Sequence, residues 1–218
     1  MKKRLLNFLI ERYSVISFDV FDTLIERKVK IPSDIFEIAG KKVLGKDSSE
    51  SFRQDRIQAE ATARAHSKNG EVTIDDIYNF LENKYREKTR FLKEQEILEE
   101  IELCVPKKEI VPIFYEVLNR GKRVYIISDM YLPKPVIEKM LEKCGVSGEE
   151  KLYVSNAYGV NKISGKLFET VIHENKLDKK KMLHIGDSLK ADCLGAIRSG
   201  ISFYHISRKN RIGRMLHR

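Results

Sequence analysis

Five short runs of apolar and β-branched residues, at 15–18, 124–127, 152–154, 182–185 and 202–206, constrain this chain most. Four of them end in a polar or turn residue that leads directly into helical periodicity. A strand buried on both faces reads as a continuous apolar run, and joining two such strands in parallel requires a crossover helix. The pattern therefore predicts an α/β chain with a Rossmann-like parallel sheet. Its crossover helices are legible too. One opens at Pro133 or Lys134, runs to Cys144 and stops at Gly145; another runs from Ser188 to Ser199 and stops at Gly200.

Between the first and second runs lie 105 residues, far more than the dozen or so that a crossover needs. Most of this stretch reads as helix. Ser33 can cap a helix toward Leu44, and Ser49 starts a long one through His66. Thr73 with Asp76 three residues on is a capping signal for a helix over 73–85, and another follows over 93–104. We expect a helical insert at 26–105, nearly neutral with 15 Lys and Arg against 17 Asp and Glu, within an α/β core made of 1–25 and 106–218.

The chain has 218 residues, 42% hydrophobic, enough for one such core with an insert. Its formal charge of +9 suggests nucleic acid until the charges are located. Residues 1–13 carry a net +3 and residues 207–218 a net +5, so the body between them is only +1 and offers no basic field for a nucleic acid backbone. Cys104, Cys144 and Cys193 are widely spaced and odd in number, which predicts neither a disulfide framework nor a zinc site and fits a reducing, cytoplasmic setting. The opening MKKRLLNFLIERY lacks a cleavage site and reads as an amphipathic helix, and no apolar run approaches the roughly 18 residues of a membrane span.

Chemistry gathers at the strand ends. The first run leads into Ser17-Phe18-Asp19-Val20-Phe21-Asp22-Thr23-Leu24, which sets Asp19 at a carboxyl end, where open α/β sheets bind ligands. The second ends in Ile127-Ser128-Asp129-Met130, and the fourth in Ile185-Gly186-Asp187-Ser188, with Asp192 five residues beyond Asp187. Between the third and fourth comes Asn161-Lys162-Ile163-Ser164-Gly165-Lys166-Leu167-Phe168. His184 alternates within an apolar strand and reads as a satisfied core histidine, Cys193 as a small core residue, and Lys166 as a solvated first-turn residue.

Taken together these segments resemble the haloacid dehalogenase superfamily of hydrolases over essentially the whole chain. Asp19 matches the nucleophile motif, Ser128 the residue closing the second motif, and Gly186-Asp187 with Asp192 the acidic fourth motif. Lys162 matches the motif lysine because Phe168 lies six positions later. The insert is placed like the cap of members whose cap follows the first motif. The strings SFDVFDTLIER, ISDMYLPK and HIGDSLKAD also look like a bacterial subgroup associated with glycosyltransferases of surface polysaccharide synthesis.

The resemblance implies a Mg²⁺-dependent phosphatase of a small phosphorylated metabolite, such as a phosphosugar or polyol phosphate. Asp19 would be the nucleophile, with Ser128 and Lys162 on the phosphate. Asp19, the backbone carbonyl of Phe21 and Asp187 would hold the metal, with Asp192 behind them. The basic termini would be candidates for weak association with an acidic membrane surface or a partner glycosyltransferase.

One position departs from that pattern. The residue two after the nucleophile, usually an aspartate acting as general acid and base, is Phe21; losing such a group costs roughly 10²- to 10⁴-fold in rate. Three readings stay open. Asp22, Asp129, a cap residue or, at reduced rate, a solvent water supplies the proton; or the enzyme is a dehalogenase, whose halide needs no acid; or the chain is a non-catalytic module that binds a phosphorylated ligand or recruits a partner. Arg27, where the chain leaves for the insert, and Arg56 are candidate substrate contacts. Arg53, Arg56, Glu60 and Arg64 share one helix face, for which a surface ion-pair ladder is the competing explanation.

Overall fold

All five apolar runs become strands of one parallel sheet. The chain runs α1 (Lys3–Arg12), β1 (Val15–Phe18), β2 (Ile25–Arg27), α2 (Asp34–Leu44), α3 (Lys46–His66), α4 (Ile74–Asn79), α5 (Glu82–Tyr85), α6 (Lys88–Glu102) and β3 (Cys104–Pro106). It continues through α7 (Val111–Asn119), β4 (Arg123–Ser128), α8 (Lys134–Lys143), β5 (Lys151–Val154), α9 (Ser155–Tyr158), α10 (Lys166–Glu174), β6 (Met182–Gly186), α11 (Gly195–Ser199) and β7 (Ser202–His205). The computed structural model describes residues 3–207, so the basic stretch from 208 onward lies outside the described residues. None of the described helices is long and apolar enough to cross a membrane.

The sheet order is β5-β4-β1-β6-β7, with every neighbouring pair parallel. The chain builds outward from β1 to β4 and β5, then returns to the other side of β1 for β6 and β7. The opening between β1 and β6 is therefore a topological switch point, the place where such sheets present their ligands. Asp19 follows β1, Asp187 follows β6 and Ser128 ends β4, which puts three of the predicted residues on adjacent strand ends. β1 and β6 are buried along their whole length, which explains why they read as continuous apolar runs.

Several boundaries differ from expectation, each for a local reason. The Thr73 capping box forms as predicted, but the helix it starts breaks between Asn79 and Glu82 into α4 and α5. Ser33 precedes α2 with αR backbone and makes no side-chain cap. α3 starts at Lys46 rather than Ser49, whose hydroxyl donates back to the Lys46 carbonyl at 2.8 Å. α6 begins at Lys88 rather than Lys93 and ends at Glu102, because Cys104 has already entered β3. The predicted helix over 188–199 opens with a π-helical turn, Leu189–Leu194, before α11. The N-terminal amphipathic helix is present as α1, with Leu6 and Ile10 buried and Leu5 and Phe8 outward.

β2 and β3 form an antiparallel ribbon that the sequence did not reveal, since three-residue strands carry no periodicity. Glu26 faces Val105 across it, so residues 28–103 leave and return through one paired base. Its return strand also brings Cys104 to Cys144 with their sulfurs 3.6 Å apart, both as free thiols. Above the ribbon the helices are held by buried charge. Arg56 is fully buried, donates to both carboxylate oxygens of Glu96 at 2.8 Å and to Glu60 at 3.2 Å, and lies over the ring of Tyr131 at 4.8 Å. The Arg56–Glu60–Arg64 ladder thus exists, but it is anchored in the interior rather than laid along the surface.

Candidate active site

The carboxylate of Asp19 is buried at the end of β1 and accepts one hydrogen bond on each oxygen. Lys162 Nζ donates to Oδ1 at 2.6 Å, and the hydroxyl of Thr23, one helical repeat further on, donates to Oδ2 at 3.0 Å. Its backbone amide donates to the Ile185 carbonyl at 2.9 Å, tying β1 to β6 just below the site. Burial is the largest influence on Asp19 and pushes it up to about 7; Lys162 opposes the rise, while Asp192 and Asp187 add to it.

Lys162 bridges two elements. Its ammonium, 2% exposed, splits between Asp19 Oδ1 and Asp192 Oδ1, each at 2.6 Å. Desolvation works against its charge, but Asp19, Asp192 and Asp129 outweigh it and hold the pKa above the ordinary lysine value. Asp129 supplies the loop's anchor: both of its carboxylate oxygens accept from the Lys162 backbone N–H, at 2.9 and 3.1 Å. Burial raises Asp129 to about 6, against the lowering pull of Lys162.

Asp192 sits on the π-helical turn. Its Oδ1 accepts from Lys162 and from His184 Nε2 at 3.2 Å, and its Oδ2 from the Ser188 amide at 2.7 Å. Burial alone would raise this carboxyl, but the Lys162 charge and the His184 hydrogen bond hold it well below the usual carboxylate range. A wider helical turn at a functional residue is a recurrent use of π geometry. The turn is reached only because two residues lack side chains. A Cβ on Gly186 would stand 2.3 Å from Asp192 Cγ, and one on Gly195 only 2.0 Å from the Lys162 carbonyl oxygen. We expect Gly195→Ala to displace the Lys162 loop and lower turnover by about 10²-fold, the cost of an ångström-scale misplacement. Steady-state kinetics beside a melting curve check this, and wild-type kcat would show that the loop yields freely.

Ser128 completes the group from β4. It is fully buried and its Oγ has no hydrogen-bond partner, whereas Ser17, Thr23, Asp19, Lys162 and Asp192 are all engaged.

The sequence profile of haloacid dehalogenase-like hydrolases matches residues 13–200, which contain every one of these side chains. The chain belongs to this family. Solved structures of similar fold include a 2-haloacid dehalogenase from Pseudomonas syringae pv. tomato, 14% identical over 91% of each chain with a TM-score of 0.67. A Bacillus subtilis protein designated a HAD hydrolase and solved with magnesium bound is 19% identical, over 94% of this chain and 98% of that one, with a TM-score of 0.65. A HAD family enzyme from Bacteroides thetaiotaomicron is 15% identical, over 94% and 99%, with a TM-score of 0.60. No curated protein matches the chain. As a haloacid dehalogenase-like hydrolase it has the expected α/β architecture with a mostly parallel central sheet.

The remaining predicted residues fall into two groups. Asp19, Asp187 and Asp192 each bring a carboxylate oxygen to within 4.8 Å of the others, and all three are buried. This is a set of hard oxygens suited to Mg²⁺. Asp192 already receives three hydrogen bonds, so Asp19 and Asp187 are the carboxylates of the trio that could hold the ion.

The second group stands apart from the acidic trio. The ring of Phe21 packs against the hydrophobic core and lies 4.2 Å beneath the Arg27 guanidinium. Arg27 in turn donates to both oxygens of Glu100 at 2.7 and 3.0 Å, and Arg56 is committed to Glu96 as described. Asp22 adopts a left-handed backbone, φ 58°, and its carbonyl accepts from Lys107 Nζ. Thr23 contacts Asp19 directly and Ser17 meets His184 behind Asp192, and neither was among the residues expected at the site. Thr23 had a usable signal, a hydroxyl one helical repeat after the nucleophile candidate; Ser17 had none.

Proposed function

We propose that this hydrolase is a Mg²⁺-dependent phosphatase of small phosphorylated metabolites, working through an aspartyl-phosphate on Asp19. The Ser128 hydroxyl carries the reading. Leaving a buried hydroxyl unpaired costs on the order of 1–3 kcal/mol, so such a group among hydrogen-bonded neighbours is a donor kept for a ligand oxygen. Ser128 and the amide that follows it would bind phosphate oxygens while Lys162 neutralises charge on nucleophile and phosphate. An Asp19 oxygen forms the new P–O bond as the ester P–O bond breaks, and the leaving oxygen takes up a proton. Water then cleaves the acyl phosphate and regenerates the carboxylate. Bound Mg²⁺ would favour the ionised form of Asp19 and offset phosphate charge.

Phe21 has no proton to give, so the source lies among the neighbouring carboxylates. Asp129 stands next to Ser128 with its carboxyl raised to about 6, which makes it the donor in this reading. Residues 26–105 would act as a cap over the cleft. Supporting this, Asn69 donates to the Gly159 carbonyl and Ile74 N–H to the Tyr131 carbonyl at 3.0 Å, joining the helices to the loops that carry Lys162 and Asp129. A phosphosugar or polyol phosphate of surface polysaccharide synthesis is the substrate class, and association of the basic termini with an acidic membrane or a glycosyltransferase extends the same reading.

Phe21 also favours a second reading, 2-haloacid dehalogenation, in which the halide leaves without a proton. The decisive assay pairs phosphate release from a panel of phosphorylated sugars and polyols, with Mg²⁺ and with chelator, against halide release from 2-haloacids. Chelator-sensitive phosphate release is the expected result. Halide release indifferent to chelator would replace the proposal, and neither product would leave a binding module.

A further inference from the structure

We propose that Ser17 and His184 form a buried positioning relay that orients Asp192 and, through it, holds Lys162 against Asp19. Ser17 and His184 are register partners on β1 and β6, two residues before Asp19 and three before Asp187, and both are fully buried. Ser17 Oγ lies 2.8 Å from His184 Nδ1, and His184 Nε2 lies 3.2 Å from Asp192 Oδ1. The Phe168 ring meets the imidazole edge-on at 4.7 Å and fixes its plane.

The donors can be assigned from these contacts. An ionised carboxylate only accepts, so the proton between His184 and Asp192 resides on Nε2. The Lys162 ammonium sits on the same Asp192 oxygen, and a second cation there would face it directly, so the ring is neutral. A neutral ring with Nε2–H has a lone pair on Nδ1, which accepts from the Ser17 hydroxyl. Asp192 thus selects the tautomer, Ser17 donates to the Nδ1 lone pair and fixes the ring's orientation, His184 donates to Asp192, and Asp192 receives three hydrogen bonds that leave one rotamer. Because Lys162 is shared equally at 2.6 Å, an Asp192 deprived of the imidazole would draw the ammonium toward itself and away from Asp19.

Two measurements test the relay, only one of which rests on the phosphatase reading. In ¹⁵N-labelled protein at fixed pH, the imidazole long-range spectrum, assigned by the signal lost in His184→Gln, should show the Nε2–H tautomer in the wild type. Ser17→Ala should keep that tautomer but shift the Nδ1 resonance downfield, because its lone pair loses its hydrogen-bond donor. An Nδ1–H ring or an imidazolium in the wild type, or an Nδ1 resonance unmoved by Ser17→Ala, overturns the relay. In kinetics on p-nitrophenyl phosphate, His184→Asn can still meet Ser17 but cannot reach Asp192, and should lose about 10- to 100-fold in kcat with little change in KM. His184→Gln, whose amide can reach Asp192, should recover most of that loss at a similar melting temperature. Equal losses in the two variants would indicate a packing role and overturn the proposal. If the wild type releases no phosphate from any ester, the phosphatase reading falls separately and the tautomer alone decides the relay.

Discussion

Asp19→Asn is expected to abolish chelator-sensitive phosphate release, lowering kcat by at least roughly 10⁴-fold, as removal of a covalent nucleophile does elsewhere. The substitution is nearly isosteric. The asparagine carbonyl can still accept from Lys162 and its amide can face the Thr23 hydroxyl, so both groups that now meet the carboxylate keep a partner. What disappears is the anionic oxygen that would attack phosphorus. The loss should therefore come with a near-native melting temperature, which separates it from unfolding. Acid quenching during turnover should trap phosphate on the wild-type chain and none on the variant. Residual activity of more than about one part in a hundred would remove Asp19 from the nucleophile's role, since a positioning group commonly accounts for losses of only that size.

The scaffold of this site was legible because buried parallel strands write themselves as short apolar runs, and the first one or two residues after a run fall at the ligand-binding edge. Asp19, Ser128 and Asp187 could be placed on that logic alone. Lys162 needed the resemblance, since nothing in its own neighbourhood distinguishes it from Lys166; in the structure Lys162 is 2% exposed and bonded to two carboxylates. Contacts between distant segments were not legible. Cys104 and Cys144 come together only through the β2–β3 ribbon, whose strands are too short to show a period. The fate of Phe21 was equally hidden: its ring lies under Arg27, whose charge is answered by Glu100, 73 residues further on. His184 was expected as a satisfied core histidine. It is satisfied, but its acceptor is Asp192, and that identity decides whether the ring matters to the site.

The same blindness to distant partners affects Arg56, for which the structure makes the second large prediction. Its guanidinium is fully buried and bidentate to Glu96, a residue that also accepts from the Tyr78 hydroxyl at 2.7 Å. Replacing Arg56 by methionine keeps the apolar stem but leaves the Glu96 charge unanswered in the interior, a change that costs about 3–5 kcal/mol. In a chain of this size each kcal/mol moves the midpoint by about 2–4 °C, so Tm should fall by roughly 6–20 °C. Adding Glu96→Leu removes the orphaned charge, and Tyr78 retains the Leu92 carbonyl as its acceptor at 3.2 Å. The double variant should therefore recover a large share of the loss, because well-packed apolar residues often replace a buried pair at little cost. Thermal unfolding of the two variants measures this directly. An Arg56 that instead reached out to a substrate phosphate or hydroxyl would behave in the opposite way: Arg56→Met would leave Tm in place and raise KM. Since Arg56 also stacks on Tyr131, two residues past Asp129, the buried-pair account further expects kcat and Tm to recover together in the double variant.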